Sequence, residues 1–139
     1  MATLPQLLEE DIWQIDGSLQ ELLSKSDATT ALVIDKAGFL ITKCGNQRQF
    51  DLTTIAALAS GAYAANQTIA NLIHETNFDS VYQQGENFSM FAINVDEHCL
   101  LVVIFKAQVS VGLVKYYASP TVERIAAQMR VAHDRDPGA

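Results

Sequence analysis

The histidines and cysteines are the side chains of this chain that most often serve as metal ligands or nucleophiles. His74, His98 and His133 show no metal-binding spacing, and Cys44 and Cys99 are the only cysteines. His98 adjoins Cys99, but a cysteine at the start of an apolar run is typical of a core position. The sequence also contains no Walker lysine loop and no Gly-x-Gly-x-x-Gly motif. We therefore predict no catalytic site, no bound nucleotide, no metal and no cofactor.

Arg48 has the side-chain type with which some GTPase-activating proteins place a positive charge beside the transferring phosphate. Where this occurs, the effect is worth about 10³ to 10⁵ in rate. Arg48 is the only arginine before Arg124, and it lies in the polar segment Gly45–Phe50. Because arginine side chains in polar loops are mostly solvated, we interpret Arg48 as a loop charge without a catalytic role.

The charge balance restricts the class of partner. Nine basic and 16 acidic residues give a net charge of −7. This disfavours nucleic acid phosphates and anionic membrane surfaces as partners, because both need a positive field. The N-terminal segment has neither a basic start nor an apolar signal region, so the cytoplasm is the expected location.

A long uncharged segment, Leu52–His74, contains no Asp, Glu, Lys or Arg. Its length would suffice for a membrane span, but it holds too many polar groups for hydrocarbon. These groups are Thr53, Thr54, Ser60, Asn66, Gln67, Thr68 and Asn71. We predict instead a helix of a water-soluble domain, capped at its N-terminus by Asp51, and no membrane insertion.

A projection at about 100° per residue predicts which side of this helix packs on a sheet. The predicted core stripe is Ile55, Leu58, Ala59, Ala62, Ala65, Asn66, Ile69 and Ile73. The predicted outward side has short, uncharged side chains, namely Ala57, Ser60, Gly61, Ala64, Thr68 and Asn71. Solvent or the protein's own terminal helices could cover that side, or it could contact another protein. Since surface helices normally use Lys and Glu freely, we favour the protein contact.

The other segments predict one α+β domain over residues 1–133, with a disordered tail at 134–139. Apolar spacing predicts a first helix over Leu8–Leu22, and Gly38 between two β-branched runs predicts a hairpin over Thr29–Cys44. The predicted order is helix, strand, strand, helix, three strands and helix, with an antiparallel sheet.

The end of the chain is less regular. Strands are predicted at 78–83, 88–95 and 99–105, the last of them a continuous apolar run typical of a central strand. The next segment, Val109–Ala118, fits a strand or a helix by its pattern. Ser119 followed by Pro120 is typical of a helix start, and helical spacing continues to about Val131.

Three stretches together resemble the Roadblock/dynein light chain family, and within it the MglB-type regulators of a small Ras-like GTPase in bacterial cell polarity and gliding motility. They are VIDKAGFLIT in the hairpin, DLTTIAALASGAYAANQTIANLI in the uncharged helix and LVVIFKAQVSVGLVK at the end of the sheet. The resemblance implies a five-stranded antiparallel sheet with helices on both faces. It also implies that residues 108–117 are helical.

The resemblance further implies a homodimer in which the second helices pair and the third strands join two sheets into one. We expect the dimer interface to include Tyr63, Gln67, Phe78, Val81 and Tyr82. The resemblance implies a GTPase of the MglA type across the paired helices, at Ala57, Ser60, Gly61, Ala64, Thr68 and Asn71. The expected function is activation of GTP hydrolysis through the conformation of the GTPase, without a catalytic group of this chain.

Two features depart from the family pattern. Pro120 falls inside what the family makes one long helix, where a proline removes a hydrogen bond and kinks the rod. Some relatives also carry a C-terminal extension that touches the GTPase, whereas this sequence ends at Ala139. Any activity that depends on such an extension, for example nucleotide exchange, is therefore not predicted.

Two other functions compete with the regulator. One is a dimeric scaffold or adaptor of the same family that binds a partner other than a GTPase. The other is a ligand sensor of the PAS or profilin type, which would need a pocket lined by convergent polar groups. Four aromatic residues fit a core or an interface equally: Trp13, Tyr63, Tyr116 and Tyr117.

Overall fold

The computed structural model of the chain describes residues 4–46 and 48–135. The described residues form three helices and five strands in the predicted order. Their bounds are α1 Glu9–Ser26, β1 Thr30–Asp35, β2 Leu40–Gly45, α2 Leu52–Leu72, β3 Ser80–Gln83, β4 Phe88–Asn94, β5 Cys99–Lys106 and α3 Val111–Arg135. The α+β prediction is therefore confirmed.

The five strands form one antiparallel sheet in the order β2-β1-β5-β4-β3. β5 lies at its centre and is buried from Cys99 to Phe105. Alternate β5 residues pack on opposite sides: Leu101 and Val103 lie in a core with α1 and α3, whereas Leu100 and Val102 lie in a core with α2. This two-sided burial explains the continuous apolar run, because each face of a central strand needs its own apolar side chains.

Cys99 begins β5 and is fully buried, which confirms the prediction that it is a core residue. Burial raises the pKa of its thiol far above the ordinary value. The thiol therefore stays protonated at neutral pH and does not act as a nucleophile.

The β1–β2 hairpin turns at Gly38, whose φ of 105° requires a residue without a Cβ. A Cβ added there would lie 3.5 Å from the Cα of Ala57, so the tip of the hairpin packs against α2. Next to it, the Lys36 Nζ donates to the Asp96 carbonyl oxygen at 2.6 Å, and the Lys36 N–H donates to the His98 carbonyl oxygen at 2.8 Å. These contacts fix the hairpin tip between α2 and the β4–β5 turn.

α3 is one continuous helix from Val111 to Arg135, with Pro120 inside it. The resemblance implies a helix over 108–117, and the structure shows the helix from Val111 on, with 108–110 outside it. The prediction that a helix begins at Ser119 is wrong. A proline within a helix cannot donate to the carbonyl four residues earlier, which here belongs to Tyr116. Both Pro120 and Tyr116 are exposed, so water can satisfy that carbonyl. Two residues of the predicted tail, at 134 and 135, are helical, and 136–139 lie outside the described residues.

A buried carboxylate joins the N-terminus of α1 to the last turn of α3. Asp11 is fully buried and accepts hydrogen bonds from the Leu8 N–H at 2.8 Å, from the Gln128 Nε2 at 2.7 Å and from both Nη atoms of Arg135 at 2.9 and 3.0 Å. The Arg135 guanidinium is the main reason that the pKa of Asp11 lies well below its ordinary value.

We predict that Asp11→Ala lowers the free energy of unfolding at pH 7 by about 2 kcal/mol. The substitution leaves Gln128, the Leu8 N–H and a partly exposed Arg135 without their common acceptor. Because the folded-state pKa of Asp11 is depressed, its contribution is complete above the unfolded-state value of about 3.9 and is lost as the pH falls below it. Urea unfolding should show the two proteins converging below about pH 4. Glu9→Ala, at an exposed position of the same turn, is the control with little effect, and equal stability of Asp11→Ala and the unmodified chain at pH 7 would contradict the assignment.

Candidate interaction surface

α2 is held in place by its buried side chains and by three hydrogen bonds, which reach the β1–β2 turn, β4 and the segment before β3. Its buried residues are Leu52, Ala56, Ala59, Ser60, Tyr63 and Ala70. The Ser60 Oγ donates to the Lys36 carbonyl oxygen at 2.6 Å. The Tyr63 hydroxyl contacts the Asn94 Oδ1 at 3.3 Å, and the Gln67 Nε2 donates to the Phe78 carbonyl oxygen at 3.4 Å. These bonds set the rotation of α2 about its own axis.

The start of α2 is capped as the sequence predicts. The Asp51 carboxylate accepts from the Thr54 N–H at 3.2 Å and from the Thr54 hydroxyl at 2.7 Å. The hydroxyl bond is the main reason that the pKa of Asp51 is lowered. The Lys36 Nζ lies 5.3 Å from the centre of the Tyr63 ring, so the cation lies on the buried side of α2. No charge of α2 itself is available to a partner, because the helix has none.

The opposite side of α2 is an exposed apolar surface. We define the outer α2 surface by its exposed residues Ala57, Leu58, Gly61, Ala62, Ala64, Ala65, Thr68, Ile69, Asn71, Leu72 and Ile73. Leu58 is 69% exposed and Leu72 is 74% exposed, although both are large aliphatic side chains. Contiguous exposure of such side chains marks a contact with another molecule, since a solvated helix face normally carries charges.

The predicted rotation of α2 is wrong. Five residues of the predicted core stripe are exposed in the structure and do not pack on the sheet. They are Leu58, Ala62, Ala65, Ile69 and Ile73. Ala59 is buried and Ile55 and Asn66 are half-buried, so only one edge of the stripe is correct. The projection placed the largest aliphatic groups inside, whereas in the structure Ser60 and Tyr63 are inside because each has a hydrogen-bond partner.

The predicted GTPase-binding residues lie mostly where the sequence placed them. Ala57, Gly61, Ala64, Thr68 and Asn71 are exposed on the outer α2 surface, but Ser60 is buried beneath it. The structure therefore corrects the position of Ser60, which cannot offer its side chain to a partner while it bonds the hairpin. The sequence prediction did not include the large apolar residues of this surface. A core stripe of Leu52, Ala56, Ala59, Tyr63 and Ala70 would have placed those residues on the outside of the helix.

The residues expected at a dimer interface lie around β3 and the adjacent side of α2. β3 is an edge strand of the sheet. Phe78, Val81 and Gln67 are half-buried, and the Tyr82 ring stacks on Phe105 with centroids 6.1 Å apart. Tyr63 is only 8% exposed within the single chain, so of its two open roles the core is the one seen.

The exposure of the other aromatic candidates and of Arg48 also follows from the structure. Trp13 and Tyr116 are exposed, whereas Tyr117 is half-buried. Arg48 is exposed in the loop before α2. In the part of the chain that the structure describes, no three His, Cys, Asp or Glu side chains converge as a metal site, and no helix has the length and apolarity of a membrane span.

An open cleft of about 310 Å³ lies between the start of α2 and the β3–β4 hairpin. Apolar residues form most of its lining, including Phe50, Ile55, Phe88, Met90 and Ile104. A ligand sensor needs several convergent polar groups to orient its ligand. The polar residues of this lining are Gln83, Gln84 and Ser89, and the apolar ones predominate.

Comparison with known proteins agrees with this architecture. The model of the family described as Roadblock/LC7 domain matches residues 15–105. A search of the curated proteins found no significant match. Several solved structures, in contrast, match nearly the whole chain.

Three of these structures are MglB proteins. MglB of Myxococcus xanthus is 28% identical, with a TM-score of 0.85, over 91% of this chain and 96% of that one. The gliding protein MglB of Thermus thermophilus is 28% identical, with a TM-score of 0.86, over 94% and 99%. A structure described as MglB with tetrameric arrangement is 27% identical, with a TM-score of 0.88, over 95% and 99%.

Proposed function

Because the chain belongs to the Roadblock/LC7 domain family, we propose that it is a homodimeric regulator of a small Ras-like GTPase, of the GTPase-activating type. The observation that carries the proposal is the outer α2 surface, an exposed and uncharged face with large aliphatic side chains. The likeness to MglB structures, one of them described as a gliding protein, supports a role in bacterial cell polarity and gliding motility. The partner would be a GTPase of the MglA type.

The homodimer would form at the β3 edge. Asp79 lies just before β3, and its carbonyl oxygen accepts from the Asn94 N–H at 3.0 Å. The backbone N–H and carbonyl groups of Asp79 therefore point toward β4. Because neighbouring residues of a strand alternate in direction, the N–H groups of Ser80 and Tyr82 point away from the sheet. An antiparallel β3 of a second copy would satisfy these groups and bring the two α2 helices side by side.

Activation would follow from shape rather than from a donated group. The outer α2 surface has no arginine or lysine that could reach a phosphate, and its apolar residues gain free energy by burial against the partner. A surface of this kind accelerates hydrolysis if it binds the catalytically competent form of the GTPase more tightly than the other forms. The chain would then have no catalytic site of its own.

The proposal is tested by single-turnover GTP hydrolysis of the MglA-type GTPase of the same organism, with and without the purified chain. The expected result is a hydrolysis rate that rises with the concentration of the chain and saturates. A complex that forms without any change in rate would support an adaptor instead. Absence of both binding and stimulation would contradict the proposal.

We predict that Arg48→Ala changes the stimulated hydrolysis rate by no more than about twofold. An arginine that stabilised the transferring phosphate would instead contribute about 10³ to 10⁵ in rate. The same single-turnover assay separates these results, with Lys43→Ala as an exposed, positively charged control on β2. A loss of about a hundredfold or more in Arg48→Ala alone would overturn activation through conformation.

A further inference from the structure

Lys36, at the tip of the β1–β2 hairpin, lies on the buried side of α2 and does not belong to the outer α2 surface. The residue is half-buried, and its Nζ donates to the Asp96 carbonyl oxygen at 2.6 Å. The same Nζ lies 5.3 Å from the centre of the Tyr63 ring, within the range of a cation–π contact. One ammonium group therefore connects the hairpin, the β4–β5 turn and the inner side of α2.

The backbone of Lys36 makes two further contacts. Its carbonyl oxygen accepts from the Ser60 Oγ at 2.6 Å, and its N–H donates to the His98 carbonyl oxygen at 2.8 Å. Ser60 and Tyr63 are the two residues of α2 whose buried side chains carry a hydroxyl group. Both of them contact Lys36, the first through its carbonyl oxygen and the second through its ammonium.

The surroundings of the ammonium make its contacts strong. Burial is the main cause that lowers the pKa of Lys36, and the Asp96 carboxylate opposes that shift. A hydrogen bond from a charged donor is stronger than one between neutral groups, and partial burial strengthens it because less water competes. Lys36 therefore supplies a charged contact to a helix that has no charge of its own.

The rotation of α2 decides which side chains a partner meets. In the structure Ser60 and Tyr63 face inward, whereas Leu58 is 69% exposed and Ile69 is 49% exposed. A helix turned so that its largest aliphatic groups faced the sheet would bury Leu58 and Ile69 and would bring Tyr63 toward solvent. Hydrophobicity favours this second rotation, whereas the contacts with Lys36 favour the observed one.

We propose that Lys36 is a positioning residue, whose ammonium and carbonyl oxygen hold α2 in the rotation that presents Leu58 to a partner. Lys36 acts through Ser60 and Tyr63 and does not touch the partner itself. Its effect on the affinity for the GTPase rests on the proposed function, whereas its effect on α2 is a property of the chain alone. Replacement of Lys36 should therefore change the accessibility of α2 residues before any partner is added.

The first test is hydroxyl-radical footprinting of the chain alone. In Lys36→Met, which keeps a long side chain without the charge, Tyr63 should be oxidised at least about twofold faster than in the unmodified chain, and Leu58 more slowly. Lys36→Arg should keep the original pattern, because arginine retains the charge, donates to carbonyl oxygens and stacks on aromatic rings. Lys43→Met, the same change at an exposed position of β2, is the matched control. Unchanged oxidation of Tyr63 and Leu58 in Lys36→Met would overturn the proposal.

Ser60→Ala provides a second test that does not depend on the folding of Lys36→Met. It removes the hydroxyl that bonds the Lys36 carbonyl oxygen, so oxidation of Tyr63 should again rise and that of Leu58 should fall. Circular dichroism shows whether each variant is folded. An unchanged oxidation pattern in folded Ser60→Ala would likewise count against the proposal.

The consequence for binding is measured by titration calorimetry with the GTP-loaded GTPase. The dissociation constant of Lys36→Met should rise roughly tenfold, and that of Lys36→Arg should stay within about threefold of the value for the unmodified chain. Absence of binding by the unmodified chain would contradict the proposed function and leave the footprinting result intact. If the unmodified chain binds and Lys36→Met binds equally well, Lys36 does not position the surface for the GTPase.

Discussion

Leu58→Arg should weaken the binding of the GTPase by at least about a hundredfold and abolish stimulation of GTP hydrolysis. Leu58 is 69% exposed near the N-terminal end of the outer α2 surface, so its side chain would lie within the proposed contact. An arginine there places an unpaired charge against apolar groups, a change that costs several kcal/mol when the charge is desolvated. Titration calorimetry and the single-turnover assay give the affinity and the rate.

The fold should be unaffected by this substitution, because exposed positions rarely change the free energy of unfolding by more than about 0.5 kcal/mol. Leu58→Met is the matched control, since it keeps an apolar side chain of similar size. Ala64→Arg, on the flank of the same surface, should also remove binding and leave the fold intact. Undiminished affinity in Leu58→Arg and Ala64→Arg would place the partner elsewhere, and unfolding of either variant would show that its side chain is buried.

Ser80→Pro should raise the dissociation constant of the β3-mediated homodimer by at least about a hundredfold. The Ser80 N–H points away from β4, so proline removes a donor that a second copy would use without loss of a bond inside the chain. The proline ring also fills the space in which the partner's strand would approach. Pairing between Val81 and Ala92 within the chain is kept.

Sedimentation equilibrium over a wide concentration range measures this result, and Ser80→Pro should sediment as a monomer. Ser80→Ala, the matched control, retains the N–H and should remain dimeric. A Ser80→Pro protein that is folded and still dimeric would contradict pairing of the third strands.

Much of the fold was predictable because its signals are local. Gly38 between two β-branched runs indicates a hairpin wherever the turn packs, and the apolar run from Cys99 to Phe105 indicates a strand buried on both faces. The family resemblance added the helical state of the segment after Val109, which pattern alone left open.

The rotation of α2 was not predictable from the projection, because it depends on partners distant in sequence. Ser60 bonds the hairpin at Lys36, and Tyr63 contacts Asn94 on β4. A projection that ranks residues by hydrophobicity places serine outside and Leu58 inside, whereas a satisfied hydroxyl can be buried at little cost. The surface was thus predicted as uncharged and small, and the structure makes it uncharged and markedly apolar.

Two other features escaped prediction for related reasons. Ser119 and Pro120 are typical of a helix start, but a proline whose lost bond faces solvent also fits inside a helix. By local pattern Asp11 is one of three acidic residues in the first turn of α1, and only its contact with the end of α3 makes it a buried acceptor. In both cases, the deciding contact lies outside the local pattern.

The central claim is that another protein covers the outer α2 surface, and hydroxyl-radical footprinting of the chain with the GTP-loaded GTPase tests it most directly. Compared with the chain alone, the complex should show strong protection of Leu58, Ile69 and Leu72, whereas Phe39 on the β1–β2 hairpin, which is 70% exposed, should be oxidised equally in both. Equal oxidation of the three α2 residues in the free and bound states, with protection at another surface, would contradict the account.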